Sequence, residues 1–135
     1  MDISSKKSVA GKLGVKENLQ MVVINAPEDY TGILGQLPNN ISIINELNGK
    51  ASFIHCFAKD KKYLEDEFPI LMRMLENDGA LWISWPKRSA KVETDLNENI
   101  VREIGLMNAL VDVKVCSVNE IWSGLKFVYR LKDRS

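Results

Sequence analysis

Apolar positions along the chain come in short blocks, and the spacing inside each block names the element it predicts. Gln20-Met21-Val22-Val23-Ile24-Asn25 is a nearly continuous apolar run, the pattern of a strand covered on both faces. Residues 41–46, 51–58 and 80–85 give three more strands, with Asn48-Gly49 marking a turn and Pro86 ending the last. Residues 111–118 and 125–131 give a fifth and a sixth. Only Asn119-Glu120-Ile121-Trp122-Ser123-Gly124 lies between these two, too little for a helix, so they are expected to pair as an antiparallel hairpin.

Helical spacing fills the other gaps. Residues 8–13 predict one or two turns closed by Gly14, after a polar segment, 1–7, expected to fray. Ala26-Pro27-Glu28-Asp29 breaks the first strand and opens a short helix over 28–35, with Pro27 at its first turn. Leu64, Phe68, Leu71, Met72 and Leu75 share one helical face behind an Asp60 cap. That helix is expected to kink at Pro69 and to close at Asn77-Asp78-Gly79. Leu96, Ile100, Val101, Ile104 and Met107 line the next, capped by Thr94 or Asp95, with Asp95 and Glu98 spaced as a capping box and Asn108 as the stop.

Composition narrows the function classes. The 135 residues suit one domain, residues 8–135, with a real core. Eighteen basic residues cancel eighteen acidic ones. Zero net charge removes the whole-protein argument for nucleic acid or an anionic membrane and leaves only a local patch open, so neither is the expected partner. One histidine and two cysteines exclude a multi-histidine or all-cysteine metal site. The start of the chain has no apolar run of the signal-peptide kind, and the apolar stretches are strand-sized. The expectation is a cytoplasmic protein with reduced thiols.

Strands alternating with helices until a closing hairpin predict an α/β fold around a mostly parallel sheet. The ending of strand, helix, strand, loop and antiparallel strand, with Asn77-Asp78-Gly79 before Ala80-Leu81-Trp82-Ile83-Ser84, resembles class I methyltransferase-like Rossmann folds. The resemblance covers about residues 8–131 and lacks one strand and helix after the second strand. It implies six strands in the order 2-1-3-4-6-5, the last antiparallel, with helices on both faces. Cys56 and Cys116 would then lie three strand steps apart, roughly 14 Å, beyond disulfide reach.

Ligands of open α/β sheets bind beyond the carboxyl ends of the strands, at the switch point, here between the first and third strands. The candidate rim is Asn25, Glu46, Lys87, Arg88, Asp95, Glu120, Trp122 and Lys126. A methyltransferase wants a glycine-rich turn after its first strand, whereas Asn25-Ala26-Pro27-Glu28-Asp29 has no glycine, which disfavours S-adenosylmethionine as cofactor. Glu46 holds the place of the ribose-binding acid that the resemblance implies. Lys87, Arg88 and Lys91 before a helix start at Thr94-Asp95 suggest an anion site, with Asp95 competing. Trp122 could stack on a ring, while Trp82 and Trp85 read as core. His55 has no neighbour in sequence to make it a general base and reads as a packed strand histidine.

A second resemblance rests on longer motifs. Leu81-Trp82-Ile83-Ser84-Trp85-Pro86-Lys87, Lys12-Leu13-Gly14, Asn25-Ala26-Pro27-Glu28, Asp95-Leu96-Asn97-Glu98-Asn99, Leu110 to Cys116, and Trp122-Ser123-Gly124-Leu125-Lys126-Phe127-Val128 are similar to a family of small bacterial proteins known as a domain of unknown function. It implies a bacterial, stand-alone domain whose shared rim is Pro86-Lys87, Asp95 and the 122–126 turn. The leading expectation is a methyltransferase-like fold that binds a small molecule or a protein partner without transferring a methyl group. The alternatives are a small enzyme acting on an anionic or nucleotide-like ligand, a genuine S-adenosylmethionine-dependent methyltransferase, and an interaction protein whose edge strands pair with a second copy or a foreign partner.

Overall fold

The computed structural model describes residues 8–134. Six strands, β1 (Gln20–Ile24), β2 (Ser42–Ile44), β3 (Ala51–Phe57), β4 (Leu75–Pro86), β5 (Leu110–Ser117) and β6 (Trp122–Tyr129), form one sheet in the order β2-β1-β3-β4-β6-β5. Pairing is parallel from β2 to β4 and antiparallel for β4–β6 and β6–β5. This is the expected architecture. Helices α1 (Val9–Leu13) and α2 (Tyr30–Leu34) pack on one face, α3 (Lys61–Arg73) and α4 (Glu98–Met107) on the other.

Alternation along β3 divides the core in two. Phe53 and Phe57 point to the α1–α2 side with Met21, Val23, Leu34 and Trp82, whereas Ile54 and Cys56 point to the α3–α4 side with Leu64, Phe68, Leu71, Val101 and Phe127. α1 is short but well capped: Gly11 N donates to Ser8 Oγ, and Gly14 takes the left-handed conformation at φ 81°. Trp82 Nε1 then donates to Leu13 O at 3.0 Å. Two of the motif segments are thereby joined in one buried contact. Cys56 on β3 and Cys116 on β5 are separated by β4 and β6, and both are free thiols.

Boundaries move where a tertiary bond outranks the local pattern. α3 runs through Pro69 without restarting and ends at Arg73, so Leu75 opens β4 and residues 77–79 belong to that strand rather than to a helix stop. Leu75 pairs with Ala51, and the register shifts before Phe53 meets Ala80. Asp60 holds the N-cap position of α3 but makes no side-chain cap bond. Asp95 Oδ1 accepts from Lys61 N at 2.7 Å instead. Asp95 therefore does not begin α4. Asn97 does, accepting from Ile100 N, and Asn108 ends the helix as expected. Met107 is 84% exposed, beyond the buried face assigned to it. α2 starts at Tyr30, two residues later than expected, because Tyr30 N closes a turn onto Pro27 O.

α4 lies close against β6 at Gly105, where an added Cβ would come within 2.0 Å of the Phe127 ring. Phe127 is fully buried and edge-on to Phe68, so it has little room to retreat. Gly105→Ala is expected to destabilise the chain by about 2–3 kcal/mol through overpacking, despite alanine's better helix propensity. Urea denaturation measures this, and a variant as stable as the parent would contradict the close packing.

Candidate functional site

The sheet reverses its order between β1 and β3, and their carboxyl ends open into a crevice of about 650 Å³. Its floor is the turn Asn25-Ala26-Pro27-Glu28 after β1 and the stretch Phe57-Ala58-Lys59-Asp60 after β3, with Tyr63 from the first turn of α3. Val92, Ile121 and Trp122 close the far side. The walls are mainly apolar and aromatic, and the charges Glu28, Lys59 and Asp60 belong to the same lining.

Asn25 sits at the centre. Its backbone is left-handed at φ 60°, a conformation asparagine tolerates better than most residues. Its Nδ2 donates to Phe57 O at 3.1 Å and to Tyr63 Oη at 2.8 Å, so both amide hydrogens are committed across the gap between β1 and β3. Burial, reinforced by Cys56, pushes the Tyr63 phenol up to about 12, so it is neutral near pH 7. Trp122 is held from the hairpin turn, where Asn119 Oδ1 accepts from both Ile121 N and Trp122 N. Its ring stands edge-on to Phe57 with centroids 4.9 Å apart.

Of the eight residues picked out as a rim, the structure brings only Asn25 and Trp122 into this crevice. Glu46 is exposed and forms no part of its wall, because β2 stops at Ile44. Lys87 is drawn away to Ser117, where its Nζ donates to Oγ, while its backbone N donates to Ile121 O. Arg88 lines a separate recess of about 350 Å³ with Trp85, Thr94 and Asp95. Asp95 is spent on the start of α3, and Thr94 Oγ1 on Lys59 O. No helix begins at 94–95, so the anion site expected there has no free helix N–H groups to offer. Glu120 is exposed in the hairpin turn. Lys126 lies mid-strand opposite Trp82, away from the carboxyl ends. Tyr63 was missed because it lies off the apolar face of α3. The available signal was an aromatic residue in the first helical turn after the switch-point strand.

Beneath the Phe57–Trp122 pair runs a buried polar chain. His55 Nδ1 is 2.8 Å from Tyr30 Oη, and its Nε2 is 2.8 Å from Ser84 Oγ. The single strand histidine thus has two side-chain partners. Ser84 has no exposed surface, so the Ser84–His55 pair is closed to substrate. Burial pushes the Tyr30 phenol up, the Cys56 thiol up to about 12 and the His55 imidazole down to about 3. None of these groups is poised to exchange a proton near neutrality.

No protein-family model matches the chain, and no curated protein matches it in sequence. Neither comparison supports the expected kinship with a bacterial family of unknown function. Solved structures do match. A magnesium protoporphyrin IX methyltransferase from Synechocystis PCC 6803 with bound SAH superposes with TM-score 0.57 at 11% identity, over 90% of this chain and 78% of that one. A SAM-dependent methyltransferase from Aquifex aeolicus gives 0.55 at 14% identity, over 88% and 86%. A putative methyltransferase from Thermoplasma acidophilum gives 0.58 at 3% identity, over 87% and 71%. At these identities the likeness establishes a methyltransferase-like Rossmann fold. No helix among the described residues is long and apolar enough to cross a membrane.

That fold family implies S-adenosylmethionine, and the residues after β1 do not fit it. The turn has no glycine, Pro27 offers no N–H, and both Asn25 amide hydrogens are already spent within the protein. No acid from the end of β2 lines the crevice.

The histidine makes a clean stability probe, because it is the only one in the chain. The folded protein holds His55 neutral down to about pH 3, whereas the unfolded chain takes up a proton near 6.5. Stability is therefore full above pH 6.5 and falls as the pH drops below it, by on the order of 2 kcal/mol at pH 5. Denaturant titrations at pH 7 and pH 5 measure this loss, which His55→Asn should abolish. Equal stability of the parent chain at both pH values would contradict the buried neutral imidazole.

Proposed function

We propose that this chain is a methyltransferase-fold binding module that takes a small ligand with a flat apolar body in the switch-point crevice and transfers no methyl group. The observation that carries this reading is the bridge from Asn25 Nδ2 to Phe57 O and Tyr63 Oη, which occupies the corner where a cofactor's polar end would meet the loop after β1. The rest of the lining supports it. Phe57, Tyr63 and Trp122 supply ring faces and edges, and Pro27, Val92 and Ile121 supply apolar contact. Glu28, Lys59 and Asp60 give a polar tip something to meet. Tyr63, the phenol that faces the space, is neutral near pH 7. Kinship with the small bacterial proteins that share the LWISWPK and WSGLKFV segments is part of the same proposal. In this chain Trp82 of the first segment is positioned by packing and by its indole N–H, which donates to Leu13 O, and Trp122 of the second by packing and by its backbone N–H, which donates to Asn119 Oδ1.

A thermal-shift screen tests the proposal with S-adenosylmethionine, S-adenosylhomocysteine, nucleotides, and acyl and sugar phosphates. A ligand at about a hundred times its dissociation constant adds about 2.7 kcal/mol, which raises Tm by several degrees in a domain of this size. The adenosyl compounds are expected to leave Tm unchanged, and a ring-bearing member of the panel is expected to raise it. Trp122→Ala should remove most of that rise. A saturable shift from either adenosyl compound would restore the methyltransferase reading.

A further inference from the structure

The rings and the charged groups of the switch-point crevice favour the same kind of ligand. Tyr63 borders the floor and Trp122 the far side, with Phe57 edge-on to Trp122. Aromatic faces attract a cation through the ring quadrupole, and Trp does so best. Glu28 and Asp60 are exposed carboxylates of the same lining. Asp60 holds the N-cap position of α3 yet makes no side-chain cap bond there, whereas Asp95 Oδ1 accepts from Lys61 N. Neither Glu28 nor Asp60 is in an ion pair among the described residues. Asn25 has spent both amide hydrogens, so the atom its side chain has left for a ligand is Oδ1, an acceptor. Lys59 is the one cation of the lining, and it pairs with neither acid.

Charge next to the crevice has the same sign. An adjoining recess of about 640 Å³ shares Lys59, Asp60 and Val92 with it and adds Glu93, Thr94 and Asp95. Together the two spaces are bordered by four acids and one lysine. Arg88 lines the separate recess beside Trp85. The first turn of α3, which carries Tyr63, has Asp95 seated on its N-terminal N–H and so offers an anion little. A cleft lined by one sign of charge between low-dielectric walls focuses its field on whatever it holds. No group of three His, Cys, Asp or Glu among the described residues is placed to hold a metal ion. The carboxylates are spread around the mouth, which suits a diffuse organic charge.

We propose that the ligand of the crevice is an organic cation, a flat ring system with its positive charge in the ring or on an attached ammonium and with no carboxylate or phosphate beside it. This rests on the reading of the crevice as the site of a flat ligand and adds the sign of its charge. The ring lies against Trp122 and Tyr63, and the charge faces Glu28 and Asp60. A nucleotide meets the same walls with its ring, but its phosphates work against it.

The test is a nuclear magnetic resonance titration of the full isotope-labelled chain with three probes of nearly one shape: N-methylquinolinium, neutral quinoline and naphthoate. The readout is the indole N–H resonance of Trp122, assigned with Trp122→Phe, while the indoles of the buried Trp82 and Trp85 serve as references. N-methylquinolinium is expected to shift the Trp122 resonance saturably and to bind about tenfold tighter than naphthoate at low salt, with quinoline between them. Added salt should narrow that gap. Glu28→Gln and Asp60→Asn should each weaken the cation by about threefold and leave naphthoate no weaker. Lys59→Gln should tighten the cation. All three variants should melt with the parent, since none of these side chains is in an ion pair. Asp78→Asn, toward the amino end of β4, should change no affinity. Quinoline or naphthoate bound as tightly as the cation, or a cation affinity unaltered by the two acid variants, would overturn the inferred charge and leave the flat-ligand reading standing. Silence of all three probes at millimolar concentration would overturn both.

Discussion

Asn25 occupies the point where the first strand ends, the chain turns back, and the sheet changes direction. Its left-handed backbone makes the turn, and its side chain spends both amide hydrogens on Phe57 O and Tyr63 Oη. The bond to Phe57 O continues the β1–β3 pairing past its last backbone partners, Ile24 and Cys56. The bond to Tyr63 Oη fixes the first turn of α3 above the same gap. The crevice depends on this bridge for its shape. With the gap spanned, the remaining space lies between the Phe57–Trp122 pair and the Val92 loop, and it is bounded by rings and aliphatic groups.

The second constraint is the zipper between the β3–α3 turn and the loop before α4. Asp95 caps α3, Thr94 Oγ1 donates to Lys59 O, and Asn97 is left to cap α4. One loop thus begins two helices and holds Lys59 and Asp60 at the rim. A carboxylate seated on the start of α3 satisfies the N–H of Lys61 and favours the dipole there. It also disfavours any anionic ligand at that helix end. An extra residue on β5, Val113, turns Asp112 toward α4, where Arg102 Nε donates to its Oδ2.

The sheet was legible because each strand is written locally. The β1 run and the alternation of β3 identify themselves, and the short link between β5 and β6 permits only a hairpin. The strand order came from the resemblance of the closing segments to one fold. Errors arose where two local signals competed. Leu75 continues the apolar face of α3 by helical spacing, yet its pairing with Ala51 makes it a strand residue. Thr94 and Asp95 read as caps of the next helix, yet Asn97 makes that cap, because Asp95 accepts from the distant N–H of Lys61 and Thr94 Oγ1 donates to Lys59 O. The candidate site was less legible than the fold. Charged loop residues look available in sequence, but Lys87 and Asp95 are consumed by bonds within the protein. Tyr63 and Phe57, which shape the crevice, carry no charge and no motif.

The most direct test of this account is the side-chain amide resonance of Asn25, followed by nuclear magnetic resonance while S-adenosylmethionine is added at millimolar concentration. A bridge that belongs to the fold predicts two distinct, slowly exchanging amide hydrogens that do not move with added cofactor. A saturable change in those resonances would mean that the cofactor displaces the bridge, and it would contradict the claim that this corner of the fold is already filled by the protein itself.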